Sequence, residues 1–176
     1  MLLGESDFTK KALDHIAEEM CVAARTAPKT KGVDNIVTAI AKGDTIGKLA
    51  KKMLEIREKQ GGSESFSRDS GNIEHISHIV LIGTKLGILN IKACGHCGYK
   101  DCASKPAEAV CAFVPIDLGI AIGSALSVAA DHRVDNRLMN SIGKASVELG
   151  LLGPDVKIVM GIPLSVTGKN PFFDRK

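Results

Sequence analysis

The chain has 176 residues, of which 44% are hydrophobic and 24% are charged, values that fit one globular domain. Aromatic residues make up 3% and the formal net charge is +3, so neither base stacking nor a strong positive field indicates a nucleic-acid partner. The longest apolar stretch, residues 118–130, is too short to cross a bilayer, and residues 1–11 lack a signal-peptide pattern. We therefore predict a cytoplasmic protein with no membrane partner.

The first half of the chain alternates helical and strand patterns. Apolar residues at helical spacing define the first helix, and Cys21 lies beside its apolar face as a buried core thiol. The predicted elements are, in order, a helix over residues 7–26, a strand over 36–40, a helix that begins at Asp44 or Thr45 and ends at Gly61, a polar loop over 63–72 and a strand over 78–82.

The second half is predicted to form two helices, over residues 116–130 and 135–149, and a strand over 156–160, followed by a turn-rich tail. Small residues recur every four positions along the first of these helices, at Gly119, Gly123 and Ser127. Another backbone can therefore approach this side closely, either in a homodimer or within the same domain. The alternation of elements predicts a single mixed α/β domain over residues 1–176.

Four cysteines lie in one short segment with the spacing C-x2-C-x4-C-x8-C. They are Cys94, Cys97, Cys102 and Cys111. Cytoplasmic thiols stay reduced, so clustered cysteines indicate a metal or cluster site rather than disulfides. Residues 90–112 are therefore predicted to form a cysteine-rich, ferredoxin-like insert.

The spacing favours a [4Fe–4S] cluster and leaves zinc as the alternative. Four thiolates ligate either group, but zinc ribbons usually carry two CxxC pairs, and here only Cys94 and Cys97 form one. Gly95 and Gly98 leave room for amide N–H groups to turn towards sulfur. His96 is expected to face solvent, because four thiolates complete the ligand shell.

Three sequence segments resemble a bacterial and archaeal family. The segments are CGHCGYKDC, VPIDLGIAIGSALSVAADHRVDNRLMNSIGKA and GIPLSVTGKNPFFDR. The family is that of uncharacterised proteins containing a ferredoxin domain, and the resemblance extends over nearly the whole chain. It implies a cluster held by the four cysteines but carries no established reaction.

A second, weaker resemblance is to small FMN-dependent nitroreductases. It is carried by the turn from Ala24 to Lys29, where Lys29 replaces the usual Ser, by Asp117-Leu118-Gly119-Ile120-Ala121, and by Met160-Gly161-Ile162-Pro163. This resemblance implies a nitroreductase-like mixed sheet flanked by helices, with FMN at the interface of a homodimer. It also implies that Lys169 and Arg175, after Pro163, contact the flavin phosphate.

Arg25 and Lys29 form a second pair of basic candidates. They surround the turn after the first helix, where they suit either the helix C-terminus or a bound phosphate. The tail contains two more basic candidates, Lys169, which lies between Gly168 and Asn170, and Arg175. The rest of the tail is expected to be exposed to solvent.

Taken together, these features predict a dimeric redox protein that passes electrons between an iron–sulfur cluster and FMN or a partner. The partner would be a redox protein or a small-molecule electron acceptor. Two alternatives remain open: a non-catalytic binding or structural protein with a four-cysteine zinc or cluster staple, and a simple one-electron carrier.

Overall fold

The computed structural model describes residues 2–173, which form five α-helices, a short 3-10 turn at Thr30–Gly32 and four β-strands. The helices are α1 Glu5–Thr26, α2 Asp44–Gln60, α3 Glu64–Asn72, α4 Phe113–Asp131 and α5 Asn140–Glu148. The strands are β1 Ile36–Ala41, β2 His78–Lys85, β3 Asp135–Asn136 and β4 Val156–Ser165.

The four strands form one antiparallel sheet in the order β1-β2-β4-β3. In its register Ala39 pairs with Leu81, and Val80 pairs with Ile162. The inner strand β2 is apolar at successive positions because both faces of the sheet are covered. Ile79 and Leu81 pack on one face, and Val80 and Ile82 pack on the other.

Two helical layers cover the sheet. The layer of α1 and α4 packs on the face that contains Val80 and Ile162, and the layer of α2, α3 and α5 packs on the opposite face. The mixed α/β prediction is therefore confirmed, with a helix–sheet–helix sandwich as its architecture.

Glycines allow α5 to lie directly on β4. A Cβ atom at Gly143 of α5 would lie 1.7 Å from the carbonyl oxygen of Val159, and one at Gly161 of β4 would lie 2.2 Å from Cγ2 of Ile142. Neither position has space for a side chain. The close contact places α5 beside the inner strand and buries Ile142 completely.

The polar segment 63–72, predicted as a loop, is instead mostly helical and forms α3. Phe66 is buried, and so are the polar side chains of Asp69 and Ser70. Ser70 Oγ donates to the Ala50 carbonyl at 3.1 Å, and Asp69 Oδ2 accepts a hydrogen bond from Ser141 Oγ. These partners on α2 and α5 satisfy polar groups that the sequence pattern assigned to solvent.

The helix predicted over residues 135–149 begins later, and its first residues belong to the sheet. Residues Asp135–Asn136 form the edge strand β3, and Met139 exchanges backbone hydrogen bonds of 2.8 and 3.1 Å with Gly161. Asp135 therefore belongs to the sheet and not to the first turn of α5. The strand predicted over 156–160 continues to Ser165, through residues predicted to belong to the tail.

Helix α4 is buried on one side and open on the other. Leu118, Ala121 and Ala125 lie in the core, whereas Ile116 and Ile120 are 46% and 41% exposed. By length and composition α4 is the one helix of residues 2–173 that could cross a membrane, a test that core helices of soluble proteins also pass. Its buried side packs on α1 and β2.

Candidate functional site

The four predicted cysteine ligands lie in the segment between β2 and α4. Residues 86–112 run between these elements without regular secondary structure. The backbone is left-handed at Ala93, Gly95 and Gly98, with φ of 54°, 63° and 84°. The amide of Gly98 donates to the Gly95 carbonyl at 3.0 Å. This amide therefore closes a turn and does not point towards a sulfur.

All four thiols line one pocket, together with Leu89, Ile91, Tyr99 and Phe113. Cys111 is 8% exposed and packs with Leu89 and Val114 in a small apolar cluster. The other three cysteines are half-buried, and all four are free thiols. His96 is exposed and its ring lies 5.5 Å from that of Phe113.

The pocket is nearly filled by its own walls. Its cavity is about 10 Å³, about the room that one water molecule requires. Within residues 2–173, no group of three or more His, Cys, Asp or Glu side chains is arranged to hold a metal ion. The donor set nevertheless fits a cluster or zinc in its chemistry, because four cysteines of one irregular loop line the same pocket. Either occupant requires this loop to open around it.

The turn after α1 is hydrogen-bonded both to the start of α4 and to the wall of the pocket. Asp117 of α4 is 6% exposed, and it accepts hydrogen bonds from the amide of Thr30 at 3.1 Å and from its hydroxyl at 2.7 Å. The next residue, Lys31, has φ of 57° and donates from Nζ to the Leu89 carbonyl at 3.0 Å. One short turn therefore connects three parts of the site: α1, α4 and the pocket.

Of the residues that the structure describes, Lys105 and Asp101 are the two charged side chains that line the pocket beside the cysteines. Lys105 is 8% exposed, and its Nζ donates to the carbonyls of Pro106, at 3.0 Å, and Ala109. Asp101 is exposed and accepts a hydrogen bond from the Ser104 amide at 2.8 Å, which lowers the pKa of its carboxyl group. Sequence reasoning missed Lys105; its position between the third and fourth cysteines was the available signal.

Arg25 bonds to the segment that leads into β1, and Lys29 bonds to the C-terminal end of α1. Arg25 Nη1 lies 2.6 Å from Asp34 Oδ2 and donates to the Ile36 carbonyl at 2.8 Å. Lys29 donates to the carbonyls of Ala24 and Arg25. Burial acts to raise the pKa of Asp34, but the hydrogen bonds from Arg25 and the Ile36 amide outweigh it, and the pKa is lowered. The contacts of Lys29 match the expected role of a cation at a helix C-terminus.

The segment that leads to Lys169 lies at the N-terminal end of α1. Lys169 is exposed, and Arg175 lies outside the described residues. Two residues before Lys169, Thr167 lines a second pocket with Ser6, Thr9 and Lys10 of the first turns of α1. Its cavity is about 260 Å³. Because α1 has 22 residues and is about 33 Å long, one phosphate on one chain cannot reach both this end and Arg25.

The second pocket is rich in hydroxyl groups. Five side chains with hydroxyls line it, together with Lys10 and His75: Ser6, Thr9, Ser77, Ser165 and Thr167. None of the described lining residues carries a carboxylate. Sequence reasoning missed this pocket because its residues come from three distant segments that meet only in the fold.

Solved structures of nitroreductase and nitroreductase-like proteins share this fold at low sequence identity. A nitroreductase with bound FMN from Desulfitobacterium hafniense matches 89% of this chain and 79% of its own, with a TM-score of 0.62 and 12% identity. A nitroreductase-like family protein from Bacillus cereus matches 92% of this chain and 79% of its own, with a TM-score of 0.57 and 13% identity. The fold is therefore nitroreductase-like.

Sequence comparison identifies the family. The family described as "Uncharacterized protein containing a ferredoxin domain" matches residues 107–175, which include Cys111 but not the other three clustered cysteines. An uncharacterised protein of Archaeoglobus fulgidus is 42% identical over 184 residues, covering 99% of this chain and 98% of the relative. The chain belongs to the family of uncharacterised proteins containing a ferredoxin domain.

Proposed function

We propose that the protein is a redox protein that holds one [4Fe–4S] cluster through Cys94, Cys97, Cys102 and Cys111. The observation that carries this proposal is that four free cysteines line one pocket. The bound cluster would supply one-electron transfer. The protein would act in the cytoplasm, where thiols stay reduced.

The surrounding residues support a buried redox centre. Cys111 and Leu89 form an apolar wall that limits access of water to the thiols. Lys31 and Asp117 hold that wall in place through the turn at Thr30–Gly32. Burial and hydrogen bonding of this kind set the potential of an iron–sulfur centre.

The cluster proposal is tested with anaerobically prepared protein. We expect iron and acid-labile sulfide in the native chain, and loss of most of both in each of the variants C94S, C97S, C102S and C111S. C21S is the matched control, because Cys21 of α1 is half-buried against the core, away from the cysteine loop, and burial raises the pKa of its thiol. Native protein without iron, labile sulfide and broad visible absorbance would falsify the proposal.

We also propose that the protein binds FMN as a homodimer. The nitroreductase-like fold supports the flavin, as does the hydroxyl-rich pocket at the start of α1, which Lys10 and Thr167 line, with Lys169 two residues beyond Thr167. Hydroxyl and ammonium donors suit a phosphate group. The open side of α4 supports the dimer, because a Cβ atom at Gly119 or Gly123 meets nothing within 4 Å. Packing within one chain therefore does not explain these glycines.

Comparing FMN with riboflavin tests the phosphate contacts directly. We expect Lys10→Ala and Lys169→Ala to weaken FMN binding about tenfold, the loss of one charge-assisted hydrogen bond, and to leave riboflavin binding unchanged. Lys48→Ala removes an exposed lysine of α2 in the other helical layer and serves as the control. Fluorescence titration measures both affinities. No FMN binding by native protein, or equal losses for both flavins, contradicts this assignment.

One observation favours a second candidate, a structural zinc site. The cavity between the thiols is about 10 Å³, and a single ion requires less opening of the loop than a four-iron cluster. Four cysteines suit tetrahedral zinc, which would then staple residues 94–111 to the start of α4. One zinc per chain, without labile sulfide or flavin, would establish this function in place of the redox one.

A further inference from the structure

Lys105 is a buried lysine on the wall of the cysteine pocket. The residue is 8% exposed, and it lines the pocket together with all four thiols. Its Nζ donates to the carbonyls of Pro106, at 3.0 Å, and Ala109. Within residues 2–173 it belongs to none of the ion pairs. Its positive charge is therefore held away from solvent by neutral groups alone.

A buried cation without a counter-charge is unfavourable, because neutral carbonyls replace only part of its hydration. Asp101 is the one carboxylate among the described residues that line the pocket. Its side chain is exposed and is hydrogen-bonded to the Ser104 amide. The other ionisable groups on the pocket wall are the cysteines and Tyr99. The four cysteines are therefore the largest source of counter-charge on the wall that Lys105 shares.

An occupied cysteine site has the required charge. Four thiolates carry four negative charges. The positive charge of one zinc ion, or of the core of an iron–sulfur cluster, is smaller than this, so the occupied site stays negative. The net charge of such a centre is a main determinant of its potential. A buried cation on the pocket wall interacts with this charge more strongly than a cation in solvent does, because the effective dielectric constant is lower there.

We propose that Lys105 is the charge-compensating residue of the cysteine site. Its ammonium group stabilises the negative charge that the four thiolates keep around the bound iron–sulfur cluster or zinc. By donating to the carbonyls of Pro106 and Ala109, Lys105 also positions the loop segment between Cys102 and Cys111. This inference rests on the proposed function and applies to either occupant.

The reduction potential separates the electrostatic role from a merely structural one. In cluster-loaded full-length protein, we expect Lys105→Met to make reduction about tenfold less favourable, which corresponds to about 59 mV for one electron. Lys105→Gln keeps hydrogen-bond donors without the charge, and we expect it to behave like Lys105→Met. Lys105→Arg keeps the charge, and we expect it to restore most of the native potential. Lys92→Met, which removes an exposed lysine from the same loop, is the matched control.

Each outcome of the redox titration is informative. A negative shift in the Met and Gln variants, with recovery in the Arg variant, supports the assignment. Native potential in either neutral variant overturns it, and so does an equal shift in the Lys92 control. If Lys105→Met prevents folding, the reduction potential of Lys105→Gln alone tests the assignment.

The native protein distinguishes failure of this inference from failure of the proposed function. If native protein binds zinc instead of iron, the same variants are compared by competition with a chelator. A tenfold loss of zinc affinity in Lys105→Gln, absent in Lys92→Met, supports the role of Lys105, and unchanged affinity overturns it. If native protein binds neither iron nor zinc, the proposed function itself fails before any variant is compared.

Discussion

At the scale of single residues, Asp14 organises a polar network between α1 and the start of β2. Its Oδ1 accepts hydrogen bonds from His78 Nε2, at 2.6 Å, and from Lys42 Nζ. His78 is fully buried, and its Nδ1 lies 2.8 Å from the Ser77 hydroxyl. The hydrogen bond from His78, followed by that from Lys42, lowers the pKa of Asp14 to about 2, from an ordinary value of 3.8.

This shift predicts a specific dependence of stability on pH. Because the pKa of Asp14 is lower in the folded chain, its ionised form stabilises the fold fully above about pH 4. That contribution is lost as the pH falls towards 2. We expect Asp14→Asn to lower the thermal unfolding midpoint near neutral pH, with a difference from native protein that shrinks between pH 4 and pH 2. Asp155→Asn, at an exposed position, should change neither. A pH-independent difference for Asp14→Asn contradicts the pKa assignment.

The sequence alone predicts some residues of the site and not others. The grouping of Cys94, Cys97, Cys102 and Cys111 follows from their spacing, since so short a segment cannot separate them far. The burial of Lys105 and the bond from Lys31 to Leu89 depend on the path of an irregular loop. No periodic pattern encodes such a path, so these contacts could not be predicted.

At the scale of secondary-structure elements, the contact of α5 with β4 is the least tolerant of change. An added methyl group at Gly143 would overlap the Val159 carbonyl, with 1.7 Å between the atoms. We expect Gly143→Ala to reduce the free energy of unfolding by about 2 kcal/mol or more, because overpacking outweighs the gain in helix propensity. Urea denaturation measures this loss.

The matched control is Gly47→Ala in α2. Gly47 is exposed, and a Cβ atom there meets nothing within 4 Å. We expect this substitution to stabilise the protein by about 1 kcal/mol through helix propensity alone. Equal effects of the two substitutions would show that α5 does not lie as close to β4 as the structure indicates.

The elements missed by sequence reasoning share one physical cause. Polar residues of α3 find partners on α2 and α5, and Asp135 and Asn136 join the edge of the sheet. In both cases tertiary contacts override the local pattern. The long helices α1 and α2 were predicted because their apolar residues keep helical spacing over several turns, and α4 was predicted because its sequence is apolar nearly all round.

At the scale of the whole molecule, the open side of α4 gives the proposed homodimer its most direct test. Ile120 of α4 and Leu54 of α2 are both 41% exposed in the single chain. We expect Ile120→Lys to shift the protein from dimer to monomer, because a lysine at the dimer seam would have to lose its hydration. Leu54→Lys should leave the dimer intact. Light scattering coupled to gel filtration measures both, and a monomeric native protein removes the proposal.

The strand order also constrains how the chain can fold as it is synthesised. Strand β2 lies inside the sheet, but its partner β4 follows about 70 residues later along the chain. While β1 alone is paired, the apolar second edge of β2 stays open, and edges of this kind promote aggregation. The cysteine segment is made during this interval, before α4 is complete. Its thiols therefore leave the ribosome before α4, the helix whose first residue lines their pocket. A metal must be inserted either after α4 has folded or into a loop that is not yet packed against it.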